Sequence, residues 1–84
     1  MRTYSINLVI WDNYPDTTTR RIDCVLSGVN EDELRGVITS VVHTLTSVGY
    51  RSISSSPHRI MMFGDRTGAK RVIVKHEIET RDEN

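Results

Sequence analysis

Eighty-four residues, 37% hydrophobic and 26% charged, are enough for one compact domain and exclude a second, because domains usually run to roughly 100–150 residues. Eleven Lys and Arg balance eleven Asp and Glu, which argues against a dedicated nonspecific nucleic-acid binder, whose footprint is a strongly basic domain. The single cysteine, Cys24, excludes an internal disulfide framework and fits a reducing compartment.

The opening MRTYSINLVIWDN lacks the apolar core and small-residue cleavage site of a secretory signal, and no run approaches the roughly 18 apolar residues of a membrane span. The cytoplasm is therefore the expected location, with no membrane partner. Within the opening run, TYSINLVIW (residues 3–11) alternates, with Tyr4, Ile6, Leu8 and Ile10 on one face and Val9 and Trp11 on the other. DNYPDT supplies turn residues. TTRRIDCVLS (residues 18–27) then alternates again, placing Ile22, Cys24 and Leu26 together and predicting a buried thiol, with Arg21, Asp23 and Val25 opposite. These two strands form a hairpin.

The segment after Gly28 carries the strongest local signals. Asn30 is a favourable N-cap, Glu33 completes a capping box, and Val29 and Leu34 are spaced for a hydrophobic staple. Leu34, Val37, Ile38, Val41, Val42, Leu45 and Val48 recur at three- and four-residue steps, and Gly49 ends the pattern. An 18-residue helix of about 27 Å would match the length of an eight-residue strand, so one helix is expected to cover one sheet.

YRSISSS reads as a short strand or extended connector ending at Pro57, RIMMF as a strand, GDRTGA as a turn, and KRVIVKHEIE as a strand with Val72, Val74, His76 and Ile78 on one face. The expected fold is α+β: a β-hairpin, one helix, then two or three strands, as a single mixed or antiparallel sheet with the helix on one face. This ββαββ order resembles the β-grasp arrangement of ubiquitin and the immunoglobulin-binding domains of protein G. The likeness is one of element order only and carries no function. Residues 1–84 are expected to form one domain with an ordered core over 3–79 and a frayed acidic tail over 80–84.

Catalytic chemistry finds little support in the sequence. GDRTGAK falls short of a P-loop in its glycine spacing, in Ala69 before Lys70, and in lacking a following Ser or Thr, and it leads into a strand rather than a helix. His43, His58 and His76 are scattered and have no ligand-spaced partner. Ser54, Ser55, Ser56 and His58 lack elbow glycines and an orienting acid. Glu31, Asp32 and Glu33 answer to the helix dipole. No catalytic residue, cofactor or metal is expected.

Binding is the remaining class. The alternation leaves Val9, Trp11, Val25, Met61, Phe63 and Ile73 on the sheet face away from the helix, with Arg71 at its border, a mixture enriched at protein interfaces. A protein partner or a homodimer on this face is the leading expectation, in the manner of small accessory proteins of viruses or mobile elements. The opposing expectation is that loops fold beneath the sheet or that its register differs. Charge is unevenly spread, with net values of −1 over residues 1–57, +4 over 58–76 and −3 over 77–84. Arg59, Arg66, Lys70, Arg71 and Lys75 therefore form an alternative site for nucleic acid or a phosphorylated ligand. A solvated hairpin edge explains the same residues.

Overall fold

The computed structural model describes residues 2–80; Thr80, expected to begin a frayed tail, instead pairs with Thr3 in the sheet, and the rest of that tail, 81–84, lies outside the described residues. Alternating segments give β1 (Thr3–Trp11) and β2 (Arg21–Asn30). The periodic segment gives α1 (Glu31–Ser47), followed by β3 (Arg51–Ser56), β4 (Arg59–Phe63) and β5 (Arg71–Thr80). All neighbouring strands run antiparallel in the order β2-β1-β5-β4-β3. The fold is thus the α+β, ββαββ-type arrangement expected, with three strands after the helix and the all-antiparallel alternative realised. Pro57 and His58 do not interrupt the third strand's pairing but turn it: Ser56 lies opposite Arg59.

The helix begins and ends as its sequence dictates. Asn30 Oδ1 accepts from the Glu33 N–H at 2.9 Å while Glu33 Oε1 accepts from the Asn30 N–H at 3.2 Å, so two otherwise orphaned donors are satisfied reciprocally. Val29 is buried in the core cluster against which Leu34 packs, consistent with the staple. At the other end the Tyr50 N–H reaches Leu45 O and the Gly49 N–H reaches Thr46 O, the Schellman pair of bonds.

The core lies between α1 and the middle of the sheet. Ile6, Met62, Val72 and Val74 are fully buried, and Leu8, Ile10, Val37, Val41 and Leu45 pack against them half-buried. No helical residue is itself fully buried. Geometry explains this and corrects the expectation that one helix covers the sheet. Five strands spaced at about 4.8 Å span roughly 19 Å across, whereas a helix is about 10 Å wide. Lengths match but widths do not, so both edge strands stay exposed from Arg21 to Gly28 and from Arg51 to Ser56.

The register of β2 also departs from simple alternation. Ile22 lies opposite Val9 and Cys24 opposite Asn7, but Leu26 lies opposite Ile6 and Val29 opposite Tyr4, with irregularities on either side of Leu26. Each inserted residue shifts the face presented by the strand. Ile22 and Cys24 therefore share Val9's face, away from the helix, and the thiol is exposed rather than buried. Val25 moves the opposite way, onto the helix side beside Leu8 and Val37. Gly28 sits at the second irregularity with φ 72°, a conformation that favours glycine.

Candidate binding surfaces

Strand register arranges the face opposite the helix in cross-strand rows. One row carries Arg51, Phe63, Arg71 and Trp11 on β3, β4, β5 and β1. The next carries Met61, Ile73, Val9 and Ile22 on β4, β5, β1 and β2. A third carries Arg59, Lys75, Asn7 and Cys24. The apolar row is thus flanked on both sides by cations. Val9, Met61 and Ile73 are half-buried by their neighbours, whereas Ile22 is 58% exposed.

The first row is partly covered by loops, which corrects the expectation of open Trp11 and Phe63 anchors. The Tyr14 N–H bonds Ala69 O at 2.8 Å and ties the β1–β2 loop to the β4–β5 loop. The Arg71 guanidinium lies 3.5 Å from the Tyr14 ring centroid and 4.6 Å from that of Phe63, and its Nε donates to Gly68 O at 2.7 Å. Tyr14 in turn meets Trp11 edge to face at 4.8 Å, and Arg20 lies over the indole at 5.2 Å. These cation–π and edge-to-face contacts favour the pairing of guanidinium with ring faces. Trp11, Phe63 and Arg71 are consequently half-buried, and the Trp11 indole N–H is buried without a hydrogen-bond partner among the described residues.

Asp65 organises the second loop. Burial pushes its carboxyl up, but bonds from the Lys70 and Gly68 N–H groups, with the Thr67 hydroxyl, hold it below the ordinary 3.8. Gly68 has φ 78°, and a Cβ there would come within 2.8 Å of the Phe63 ring. The loop closes over Phe63 because this position has no side chain.

The five cations of the alternative site do not act as one patch. Arg59 and Lys75 are direct cross-strand neighbours on the sheet face, and Lys75 Nζ also pairs with Glu77 at 2.9 Å. Arg66 and Lys70 stand exposed on the β4–β5 loop, and Arg71 is engaged between aromatic rings. Arg51 joins the face from β3 through the register shift between Ser52 and Ser54, since strict alternation in RSISSS would set it on the side of Ser55. Alternation alone sets Ile22 inward with Cys24 and Leu26, and only the paired register shows that it faces outward beside Val9.

A second apolar surface lies on the helix side. A groove of ≈ 420 Å³ separates α1 from β2, walled by Leu8, Val25, Val37, Val41 and Leu45. Val25 therefore serves this groove rather than the open face. Among the described residues no three His, Cys, Asp or Glu side chains cluster as a metal site would require, and no helix is long and apolar enough to cross a membrane. Comparison of the chain with protein-family models, with curated proteins and with solved structures finds no match.

Proposed function

We propose that this chain is a small, non-enzymatic intracellular binding protein that acts by protein–protein contact through the open face of its sheet. The observation that carries this reading is the apolar row Ile22, Val9, Ile73 and Met61, which crosses four strands with no helix above it among the described residues. A sheet face left to water is normally polar. Flanking cations at Arg51, Arg71, Arg59 and Lys75 suit a partner surface with an apolar centre and an acidic rim. Arg71, Trp11 and Phe63 act here mainly by holding the end of the face rigid.

Sedimentation equilibrium from low to high micromolar concentration tests whether the partner is a second copy. Self-association that Met61→Lys and Ile22→Lys abolish, with the folded amide spectrum retained, supports the face. If the wild type stays monomeric, a photo-crosslinker placed at position 61 should give a defined adduct in cells that one at Ser55, on the opposite side of the sheet, does not. Monomer with no position-specific adduct overturns the reading.

A second reading is favoured by the direct pairing of Arg59 with Lys75 on the same face as Arg51. Nucleic acid laid across these cations would show amide shifts at the three positions that fade between about 50 and 200 mM salt. An affinity unchanged by the double substitution Arg59→Ser and Lys75→Ser excludes it.

A further inference from the structure

A different concentration of functional groups lies on the helix side of the sheet, opposite the apolar row. There a groove of ≈ 480 Å³ opens between α1 and the turn joining β3 to β4. Its polar lining comes from four parts of the chain: Arg2 just before β1 with Tyr4 inside it, Glu31, Arg35 and Thr39 on α1, His58 in the turn and His76 on β5. Leu34, Ile38 and Ile78 form the apolar wall. A volume of this size suits a small organic ligand, since such sites commonly measure about 300–1,000 Å³.

The two histidines are fixed relative to each other. His58 Nδ1 and His76 Nε2 stand 3.3 Å apart, within reach of a hydrogen bond in which the tautomers decide which nitrogen donates and which accepts. The His76 backbone N–H bonds His58 O at 3.2 Å, and the Tyr4 ring meets the His76 imidazole edge to face at 5.7 Å. With both imidazoles neutral, Arg2 and Arg35 against Glu31 leave one net positive charge. One further proton on the histidine pair raises it to two. A phosphate monoester carries about −1.5 to −2 at pH 7 and so matches the protonated groove better than a carboxylate does.

We propose that this groove binds a small organic phosphate, with the phosphate held by Arg2, Arg35 and the His58–His76 pair and an apolar body resting on Leu34, Ile38 and Ile78. Arg35 offers the planar fork that pairs with phosphate oxygens, and the imidazoles add donors once charged. In the free protein, burial first and the neighbouring His58 second hold His76 below the ordinary 6.5. Charging His76 is therefore disfavoured in the free protein, and an anion beside it favours its protonation. Binding takes up as much as one proton, and affinity weakens by up to about tenfold per pH unit as the solution is made more alkaline.

Phenyl phosphate is the probe, with phenol and inorganic phosphate as its uncharged and bodiless counterparts. Amide shifts are expected at Leu34, Ile38, His58 and His76, with phenyl phosphate binding more tightly than either control. Calorimetry in two buffers of different ionisation enthalpy should register proton uptake, and His58→Gln should reduce it. Arg35→Gln, at an exposed helical position, should weaken binding by about tenfold while leaving the amide spectrum folded. Phenyl phosphate binding no tighter than phenol, or unaltered by both Arg35→Gln and His76→Gln, overturns the site. Shifts centred on Arg59 and Lys75 overturn it as well, by assigning the anion to the opposite face. Equal affinity for inorganic and phenyl phosphate overturns the role of the apolar wall.

Discussion

Three consecutive residues of β5 show how differently the two faces of one sheet are used. Val72 and Val74 point towards α1 and are 2% and 1% exposed, while Ile73 between them points the other way and stays half-buried. Their side chains are equally apolar. The difference is cover: among the described residues a helix lies on one side, and on the other loops gather over Trp11 and Phe63. Folding free energy is therefore concentrated on the helix side, since burial of apolar area supplies roughly 25 cal/mol per Å² removed from water. The open face keeps apolar residues that the core does not use, and the proposed protein–protein contact would give them a role.

The sharpest break of this contrast is a pair of truncations on adjacent strands. Ile6→Ala, at a position with 0% exposure, should cost about 2–5 kcal/mol in urea unfolding. Ile22→Ala, on the open face and 58% exposed, should change stability by no more than about 0.5 kcal/mol. A comparable loss for both would mean that the open face is already covered in solution, as in a dimer, and its stability would then rise with protein concentration. The loop-covered end of the face lies between these extremes. Gly68→Ala places a Cβ against Phe63 in a backbone conformation that disfavours it and should cost more than about 1 kcal/mol. Tryptophan emission should shift to the red as the Tyr14 contact loosens. Unchanged emission in a destabilised variant would show that Trp11 is shielded by something other than the two loops.

Sequence pattern revealed the elements and most of the helix-side core because those signals are local. Asn30, Glu33, Val29 and Leu34 announce the helix start at fixed spacing, and Ile6, Met62, Val72 and Val74 follow from period-two alternation. What stayed hidden is non-local. Nothing in RIDCVLSGVN marks which residues are inserted relative to β1, so Ile22, Cys24 and Val25 were placed on the wrong faces. The irregularities exist only relative to a partner strand. The loop covering Trp11 was equally hidden, because Arg71, Tyr14 and Phe63 come from three separate segments, and only the folded sheet sets the guanidinium between the rings. The proximity of His58 and His76, 18 residues apart, likewise depends on the pairing of β4 with β5.

The smallest predicted effect separates the faces by pH rather than by packing. His76 lies on the helix side opposite Ile6, half-buried, whereas Lys75 beside it faces outward. Burial, and then the neighbouring His58, depress the His76 pKa below the ordinary 6.5, so below that value the unfolded chain binds protons more readily than the folded one. The stabilising contribution is present above the unfolded pKa and is lost as pH falls through the folded one. Asp16 and Asp65 are shifted the same way from 3.8 and act only in more acidic solution. Urea midpoints at about pH 7.5 and about pH 5 should therefore fall modestly in the wild type, and His76→Gln should flatten most of that difference. A pH dependence that survives His76→Gln but disappears with His43→Gln would move the titrating group to the exposed side of the helix and leave the His58–His76 contact without a role in folding. If His58→Gln also flattens the response, the effect at His76 depends on the contact between the two rings, whose nitrogens stand 3.3 Å apart.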